Sequence, residues 1–394
     1  MMSKIKVAVL FGGQSPEHEV SIITGIQVMN ALDKSKYEVV PIYVTKDGRW
    51  VRGDNSFLLP ATFKNLEAAV SRKQTIIFSS DPTKPGFVVE SPRLSFSKAF
   101  LTEEIDVIFP AFHGRYGEDG AIQGLLEVSG IPYVGCDVQS SAIGMDKAVS
   151  KQVARAIGVS VLNDTWVISS VWVKDKKKAL KDVKYKMDFP VFVKPAHLGS
   201  SIGITKARDI KELEDALDVA FFYDTKVVVE KSLENAKEVN ISILGNNPYE
   251  VSVCEMPVSS GDVLSFEDKY ITKGKASKGM ASAQRLIPAP IKKETAKKIE
   301  DYANKFFAEI GGQGIARIDF LVSHDEKEIY FNEINTMPGS VAFYLWKEKG
   351  ITFDKLVQKL IDLGMKRSEE KKKLITTFKS NILSGFSSTK GIKG

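Results

Sequence analysis

The segment GIARIDFLVSHDEKEIYFNEINTMPGS, residues 314–340, contains two apolar runs separated by a polar turn at residues 323–327. This pattern predicts two β-strands joined as a hairpin. Side chains two positions apart on a strand lie on the same face of it. One face of the predicted hairpin is strongly apolar, with Ile318, Phe320, Ile329 and Phe331. The hairpin is therefore expected to lie against a hydrophobic core.

The other face of the hairpin is polar and carries Arg317, Asp319, Glu333 and Asn335. A turn centred near Glu326 places Asp319 across from Glu333. Carboxylate and amide oxygens suit magnesium, which usually also binds water and phosphate oxygens. A solvated face with ion pairs is the alternative, but the buried apolar face makes a carboxylate cluster costly without a cation. The pattern therefore predicts a magnesium site made by Asp319, Glu333 and Asn335.

A second segment, FVKPAHLGSSIGI at residues 192–204, predicts an apolar strand followed by a loop of small residues. The strand delivers Lys194, and the loop contains Gly199, Ser200 and Ser201. Small residues let backbone N–H groups approach phosphate oxygens, and hydroxyl groups add donors. The segment matches neither GxGxxG nor a P-loop, and most loops of this composition are plain turns. It favours phosphate binding because it occurs together with the predicted magnesium site.

A third segment, VVVEKSLENAKEVNIS at residues 227–242, predicts a strand and a charged turn. Residues Glu230 to Leu233 are candidates for a hinge that presents backbone groups to a purine edge, and Glu238 is a candidate for ribose hydroxyls. A strand that ends in a solvated turn fits the spacing equally well. Lys147 opens a predicted helix, and such a lysine, taken alone, is more often a surface residue.

The first third of the chain alternates apolar and amphipathic runs, which predicts a parallel α/β sheet. Strands are expected at KVAVLFGG, YEVVPIYVT, DVIF and PYVG, with helices over residues 20–32 and 120–128. Residues 72–100 break the alternation and are expected to form a surface insertion. The middle of the chain predicts an α+β block, and the C-terminal third carries the hairpin.

Two polar segments follow strands of this sheet, FGGQSPEHEVSIITG at residues 11–25 and FPAFHGRYGEDGAIQG at 109–124. Their polar side chains include Glu17, His18, Glu19, His113, Arg115, Glu118 and Asp119. Carboxylates at a helix N-terminus either complement the helix dipole or orient a substrate ammonium group. Ligands of open α/β sheets bind beyond the carboxyl ends of the strands. The two segments are therefore expected to line one crevice.

The 394 residues are 43% hydrophobic and 26% charged, which is typical of a globular chain with two or three domains. No apolar run approaches the length of a membrane span, and the N-terminus lacks a signal-peptide pattern, so a cytoplasmic protein is expected. Two cysteines cannot build a disulfide framework, and four histidines show no metal-ligand spacing. A net charge of +6 fits a polyanionic small ligand and is too weak to indicate nucleic acid.

Taken together, these segments resemble the ATP-grasp family and, within it, the D-alanine–D-alanine ligases. The resemblance extends from about Lys6 to about Trp346 and rests on FGGQSPEHEVS, HGRYGEDGAIQGLLEVSGIPYVG, MDK, KPAHLGSSIG, FEDKY, RIDF and NEINTMPG. It implies an N-terminal parallel α/β domain before an ATP-grasp fold. The expected boundaries are an N-terminal substrate domain at 1–140, a central lobe at 141–229, a C-terminal lobe with the magnesium site at 230–383 and a disordered tail at 384–394.

The resemblance also implies roles for individual residues. ATP is expected between the central and C-terminal lobes, bound by Lys147, Lys194, Ser201, Glu230, Lys231, Leu233, Glu238 and Lys269. Asp319, Glu333 and Asn335 match magnesium ligands, for two ions that manganese can replace. Glu17, Ser200 and Tyr270 match a hydrogen-bonded trio at the first amino acid. Arg317 and the Gly339 backbone match groups that stabilise an oxyanion, and His113 matches a histidine near the first substrate.

The implied reaction is ATP-dependent ligation of two D-alanines through an acyl phosphate, for peptidoglycan synthesis, by a homodimer that binds neither nucleic acid nor membrane. The Gly/Ser/Lys-rich stretch Thr272 to Ser282 is suited to close over the site. The family's usual Ser-Leu pair at the second substrate's carboxylate is replaced here by Tyr344 and Leu345, with Ser340 as a possible substitute donor. Acceptors other than D-alanine, such as D-lactate or D-serine, therefore stay open, although Tyr270 favours an amine.

Two other readings compete with a peptide ligase. A non-catalytic nucleotide-binding protein is disfavoured because the metal, lysine and arginine positions are intact. A carboxylase of the same superfamily is disfavoured because the chain has FEDKY and no biotin-carrier segment.

Overall fold

The computed structural model describes residues 3–71, 73–90, 100–258, 285–378 and 380–381. Its N-terminal sheet is built from β1 (Ile5–Gly12), β2 (Tyr37–Val44), β3 (Trp50–Arg52), β4 (Gln74–Phe78), β5 (Gly86–Glu90), β6 (Phe100–Glu104) and β7 (Val107–Pro110). Their order across the sheet is β6-β5-β4-β3-β2-β1-β7. β1 pairs in parallel with β2 and β7, and the other pairs are antiparallel. The predicted parallel sheet is confirmed for these three strands only.

The interpretation of residues 72–100 as a surface insertion is wrong for the strands described there. β4 and β5 extend the sheet instead of standing apart from it. They contribute Ile76 and Phe87 to the buried core, and both residues belong to the same apolar cluster as Ile42 of β2. β4 and β5 are five residues long and pair in antiparallel fashion, so the alternation of strands and helices that predicts the parallel strands does not predict their place in the sheet.

Helices α1 (His18–Ala31), α2 (Leu66–Val70) and α3 (Ala121–Ser129) accompany this sheet, with 3-10 turns at Asn55–Leu58 and Pro60–Lys64. α1 covers one face because Ile22, Ile26 and Met29 recur at helical spacing and join the apolar cluster of Val9 and Phe11. The predicted helices over residues 20–32 and 120–128 are confirmed to within two residues at each end.

The central lobe has an antiparallel sheet in the order β10-β9-β11-β8, formed by β8 (Asp164–Ile168), β9 (Val191–Pro195), β10 (Thr205–Ala207) and β11 (Lys226–Lys231). Its helices are α6 (Ser169–Lys174), α7 (Lys176–Lys186) and α8 (Ile210–Phe221). Two helices precede it, α4 (Val138–Met145) and α5 (Lys147–Ala156), and their apolar residues pack into the core of the C-terminal sheet. Apolar residues of α7 and α8 form one core with the inner faces of β9 and β11. β9 thereby delivers Lys194 to the opposite side of the sheet.

The C-terminal lobe has a second antiparallel sheet, with β12 (Lys237–Gly245), β13 (Tyr249–Val251), β16 (Gly314–Val322) and β17 (Ile329–Asn335) in the order β13-β12-β16-β17. β14 (Met256–Pro257) pairs with β15 (Arg285–Leu286). α9 (Lys293–Glu309) packs on the apolar face of the hairpin, where Phe306 contacts Phe331. The predicted hairpin is confirmed, and Asp319 pairs with Glu333 across it.

The chain then forms a 3-10 turn (Gly339–Ala342), α10 (Phe343–Trp346), another 3-10 turn (Lys347–Lys349) and α11 (Phe353–Lys372). α11 returns to the N-terminal sheet, because Leu356, Leu360 and Ile361 belong to the same buried cluster as Val7 and Val9. None of the helices within the described residues combines the length and apolar character that crossing a membrane requires.

The segment PYVG is a loop and not the predicted strand. Tyr133 forms an isolated parallel bridge with Ile108. Arg367 of α11, which is buried, donates hydrogen bonds to the carbonyl oxygens of Tyr133 at 2.7 Å and Gly135 at 2.6 Å. Toward β7, the Ile108 N–H donates to the Pro132 carbonyl oxygen at 2.8 Å and the Val134 N–H donates to the Ile108 carbonyl oxygen at 2.9 Å, so the segment adds one parallel bridge to the edge of the sheet.

Candidate active site

The polar face of the hairpin has the arrangement that strand alternation predicts. Arg317 forms a bidentate pair with Asp319, in which Nε and Nη2 each lie 2.7 Å from a carboxylate oxygen. Asn335 donates to the same carboxylate at 3.2 Å. Burial alone would lower the pKa of Arg317, but the Asp319 charge keeps that pKa well above its usual value. Asp319 is therefore held in one orientation within β16.

Lys147, at the first position of α5, reaches the same face of the hairpin. Its Nζ lies 3.1 Å from Oε2 of Glu333 and donates to the carbonyl oxygen of Leu198 at 2.6 Å. The lysine thus joins β17 to the Gly/Ser loop, and both it and the predicted metal ligand Glu333 are largely buried. The surface position that the sequence alone suggested for Lys147 is wrong.

The residues proposed for magnesium fit that ion in their chemistry. Within the described residues, no group of three or more His, Cys, Asp or Glu side chains is arranged to hold a metal. Asp319, Glu333 and Asn335 supply two carboxylates and one amide oxygen on facing strands. Magnesium in nucleotide sites is commonly bound by one or two carboxylates together with phosphate oxygens. This donor set therefore suits a magnesium–nucleotide complex better than a metal ion held by the protein alone.

A buried group of three charges lies between α5 and the strands β9 and β11 of the central sheet. Lys194 donates to Oε1 of Glu230 at 2.7 Å, and Lys151 of α5 pairs with the other oxygen of this carboxylate. Burial raises the pKa of Glu230, but the two lysines outweigh that effect and lower its pKa to about 2. Because both carboxylate oxygens bind lysines, an adenine contact from this position would come from the backbone, as the hinge prediction requires.

Lys151 was not identified from the sequence, although a signal was present. It follows Lys147 by four positions on α5, so the two lysines share one helix face. Lys151 is 1% exposed, and burial lowers its pKa despite the charge of Glu230. Unlike Lys194, Lys151 does not line the cleft between the two antiparallel sheets. Its effect on a ligand would pass through Glu230.

A cleft of about 430 Å³ separates the central sheet from the C-terminal sheet. Its walls bring together most of the residues predicted to bind ATP, namely Lys194, Ser201, Glu230, Lys231, Leu233 and Glu238. Apolar side chains complete it, namely Phe192, Ile204, Met256 and Leu321. A cleft that combines these apolar side chains with lysines suits a flat base that carries a polyphosphate.

A smaller cavity of about 20 Å³ joins this cleft to the N-terminal crevice. Glu17, Glu118 and Lys147 line it, and it shares Gly199 and Glu333 with the cleft. The Ser200 hydroxyl donates to Oε1 of Glu17, so two members of the predicted trio are in contact. The third member of the trio, Tyr270, lies outside the described residues. So do the predicted ATP-binding Lys269, the predicted closing stretch 272–282 and the predicted tail 384–394.

His113 braces the turn that follows the hairpin. Its Nδ1–H donates to the carbonyl oxygen of Met337 at 2.9 Å, and its Nε2 accepts from the Thr24 hydroxyl at 2.8 Å. That hydroxyl in turn accepts from the backbone N–H of Ser340 at 3.0 Å. Burial lowers the pKa of His113 to about 4, so the ring is neutral. These bonds fix the backbone on both sides of Gly339.

Glu118 holds the same turn from the other side. Its two carboxylate oxygens accept backbone N–H groups, from Gly114 at 2.8 Å and from Met337 at 2.9 Å. Burial and the nearby Glu17 charge raise its pKa to about 8, whereas the two N–H donors favour the ionised form. Glu118 was expected in the crevice and does lie there.

The predicted second-substrate residues lie on an unusual turn. Ser340, Val341 and Ala342 all have left-handed backbone conformations, with φ of 52°, 55° and 47°. Non-glycine residues adopt this region at a cost of roughly 1–3 kcal/mol each, and such strain clusters at functional sites. The Ser340 hydroxyl is buried and has no hydrogen-bond partner in the described part of the chain. Leu345 is fully buried, so its side chain does not face a ligand.

Tyr344 belongs to a charged cluster that the sequence did not indicate. The Arg285 guanidinium stacks on its ring at 3.8 Å and forms a 2.8 Å ion pair with the buried Glu255. The Tyr344 hydroxyl lies 3.4 Å from the same carboxylate. Burial raises the pKa of Tyr344, and the Glu255 charge adds to this effect, so the hydroxyl stays protonated. Where the usual pattern of the family has a small serine, this chain therefore has a bulky aromatic ring that Arg285 and Glu255 hold in place.

Two antiparallel sheets that enclose a lysine-lined cleft, with a polar hairpin at its end, define the ATP-grasp fold. Family models described as D-ala D-ala ligase N-terminus and D-ala D-ala ligase C-terminus match residues 6–136 and 153–362. This chain belongs to the D-alanine–D-alanine ligase family. It is 40% identical to the D-alanine–D-alanine ligase of Caldicellulosiruptor bescii, over 95% of this chain and 98% of that protein, and 38% identical to the Bacillus cytotoxicus enzyme, over 95% and 99%.

Solved structures agree with this assignment. The VanG D-Ala:D-Ser ligase of Enterococcus faecalis has a TM-score of 0.77 and 30% identity, covering 92% of this chain and all of that one. The D-alanine–D-alanine ligase of Coxiella burnetii has a TM-score of 0.76 and 29% identity, covering 94% and 96%. The family and fold predicted from the sequence motifs are thus confirmed.

Proposed function

We propose that this protein joins two D-alanines into D-alanyl-D-alanine for peptidoglycan synthesis, with ATP converted to ADP and phosphate. One observation carries the proposal. The nucleotide cleft and the N-terminal crevice meet at Gly199 and Glu333, where Lys147 and the Glu17–Ser200 pair also converge. A carboxylate substrate held by the crevice would then lie beside the terminal phosphate of a nucleotide in the cleft. The names of the full-length relatives support D-alanine as the substrate.

In the first step, a carboxylate oxygen of one D-alanine attacks the γ-phosphorus of ATP, and the bond to the β-phosphate oxygen breaks. Lys147 and Lys194 would neutralise the charge that develops on the phosphate oxygens, which is most of phosphoryl-transfer catalysis. Asp319, Glu333 and Asn335 would hold magnesium, or manganese in its place, and the bound ion supplies further charge neutralisation. Glu17 would orient the ammonium group of this D-alanine.

In the second step, the amine of the second D-alanine attacks the acyl carbon, and phosphate leaves. Arg317 and the backbone N–H of Gly339 would stabilise the oxyanion of the tetrahedral intermediate. The bidentate pair with Asp319 fixes the guanidinium plane, and the His113 and Glu118 bonds fix the turn that carries Gly339. Groups that are oriented before the reaction contribute roughly 3–4 kcal/mol in comparable sites.

A second candidate is ligation of D-alanine to D-serine. It is favoured by the Tyr344–Arg285–Glu255 cluster, which changes the acceptor end of the site, and by the structural likeness to a D-Ala:D-Ser ligase. D-Lactate is a further acceptor to be tested. The homodimer, the cytoplasmic location, the domain boundaries and the closing loop remain predictions.

The decisive experiment incubates the purified protein with ATP, magnesium and D-alanine, alone and with D-serine, D-lactate or L-alanine. Mass spectrometry identifies the condensed products, and released ADP is measured in parallel. We expect D-alanyl-D-alanine with one ADP for each bond formed. A dominant D-alanyl-D-serine product would replace the first candidate with the second. ADP release without any condensed product from D-alanine would contradict both.

A further inference from the structure

His197 lies inside the Gly/Ser loop, between two carboxylates. Its Nδ1 is 3.0 Å from Oδ1 of Asp224, and its Nε2 is 3.3 Å from Oδ2 of Asp146. Its backbone N–H also donates to Asp224, at 2.6 Å. Asp146 precedes α5, and Asp224 follows α8. One ring therefore connects the loop to two separate helices of the central lobe.

The surroundings of this ring determine its protonation state. A neutral imidazole can donate from one nitrogen only, whereas both nitrogens here face carboxylates, so only the imidazolium can satisfy both. Lys226 of β11 is the other charged group in the cluster, and it pairs with Asp146 at 2.7 Å. The hydrogen bonds to Asp146 and Asp224 raise the pKa of His197 to about 9. The ring is thus a cation at neutral pH.

The loop around this ring also holds Lys147. The backbone N–H of Lys147 donates to the carbonyl oxygen of Ala196 at 3.1 Å, and its Nζ donates to the carbonyl oxygen of Leu198 at 2.6 Å. His197 lies between these two acceptors in the chain. Asp146, its ring partner, caps the first turn of α5 by accepting from the N–H groups of Ala148 and Val149. The ring therefore fixes the loop at the turn from which Lys147 projects.

We infer that His197 is a positioning residue for nucleotide binding, and that its imidazolium fixes the Gly/Ser loop against α5 and thereby sets the place of the Lys147 charge. The inference deepens the proposed function, since it rests on this site being the nucleotide site. His197 does not line the cleft, so its effect on a nucleotide passes through the loop and Lys147. Loss of its proton removes the hydrogen bond from the ring to one of the two carboxylates and loosens this contact.

The test compares the wild type with His197→Gln, which is neutral at every pH, and His197→Arg, which keeps a charge and several donors. His324→Gln is the matched control, because His324 is exposed on the hairpin turn. Calorimetric titration with the non-hydrolysable nucleotide AMPPNP and magnesium gives Kd between pH 7 and pH 10. These pH values bracket the titration of the ring roughly.

We expect His197→Gln to bind AMPPNP about tenfold more weakly than the wild type at pH 7, equivalent to the loss of one charge-assisted contact. The affinity of the wild type for AMPPNP should decrease toward that of the Gln variant as pH rises through 9. The affinity of His197→Arg should stay constant over that range. Differences between variants cancel the titration of the lysines and of the nucleotide itself. A structural role without positioning would lower stability but leave the pH profile of Kd unchanged.

Equal affinity of His197→Gln and wild type at pH 7 would overturn the inference. An affinity of His197→Arg for AMPPNP that decreases with pH as much as that of the wild type would also overturn it. This outcome can be measured even if the Gln variant does not fold. Because Kd is measured without amino acids, failure to ligate D-alanine would contradict the proposed function alone. Absence of AMPPNP binding by the wild type would contradict both.

Discussion

The nucleotide cleft and the acceptor end of the site differ in how their side chains are held. Most of the charged side chains in the cleft project from strands such as β9, β11, β12 and β17, where the alternation of a strand fixes their direction. The acceptor end is a turn with three successive left-handed residues, 340–342, braced by Thr24, His113 and Glu118 from the N-terminal domain. Because strand alternation is a local pattern, the residues of the nucleotide site can be predicted from the sequence. The acceptor end has irregular backbone and contacts between residues far apart in the chain, so its residues are identified only from the structure.

The sharpest test of the cleft is Glu333→Gln. This variant keeps the shape of the side chain but removes a charge that pairs with Lys147 and is proposed to bind magnesium. Loss of one such electrostatic group commonly lowers kcat by about 10²–10³-fold. We expect a decrease at the upper end of that range, measured as ADP release over a magnesium titration. Glu328→Gln, exposed on the same hairpin turn, is the matched control. Normal turnover with unchanged magnesium dependence would remove Glu333 from the site.

Lys151→Met tests the buried charges beneath the cleft. The variant leaves Glu230 with Lys194 as its remaining lysine partner in a buried position. Breaking a buried pair on one side typically costs about 3 kcal/mol of the free energy of unfolding. Urea denaturation should show this loss, and the double variant Lys151→Met with Glu230→Gln should recover part of it. A single variant as stable as the wild type would show that this charge group does not support the cleft.

His113 gives a pH test of the acceptor end. Its pKa of about 4 lies below the ordinary histidine value, because burial disfavours its charged form. The unfolded chain therefore binds the proton first, and stability should fall as pH decreases from about 6.5 to 4, by roughly 3 kcal/mol in total. The measurement is urea denaturation at several pH values, compared with His113→Gln. An equally steep dependence in the variant would assign the effect to other groups.

The smallest effect is expected from Tyr344→Ser, which concerns the choice of acceptor. The variant removes the ring on which Arg285 stacks and restores a small hydroxyl side chain. We expect roughly a tenfold change in the ratio of D-alanyl-D-serine to D-alanyl-D-alanine in a competition assay, typical of adding or removing one substrate contact. The ratio is read by mass spectrometry at equal acceptor concentrations. A ratio equal to that of the wild type would locate acceptor choice elsewhere.

The fold was predictable where the sequence pattern is local. The hairpin, its buried face and the Asp319–Glu333 pairing followed from alternation and turn position alone. The place of β4 and β5 in the first sheet did not, because their pairing partners are not set by a local pattern. A strand at PYVG was predicted from its apolar residues, but this segment pairs with β7 through a single bridge, between Tyr133 and Ile108.

The candidate site divides in the same way. Lys194 and Glu238 came together as expected, since the motifs specify both the residue and its strand, and Ser201 joined them from the loop after β9. Lys151 had a signal in its four-residue spacing from Lys147 but no motif of its own. Arg285 and Glu255 had no signal, because their contact with Tyr344 depends on β14, β15 and α10 meeting in space.

The return of α11 to the first sheet has a consequence for protein synthesis. The core of the N-terminal sheet contains Leu356, Leu360 and Ile361, so it cannot be completed until nearly the whole chain has left the ribosome. The core of the central lobe uses residues between Val167 and Val229 and is available much earlier. Domains usually fold from the N-terminus onward, but here the middle of the chain should become protease-resistant first. Nascent chains halted after residue 260 and after residue 380, treated with protease, would reveal this order.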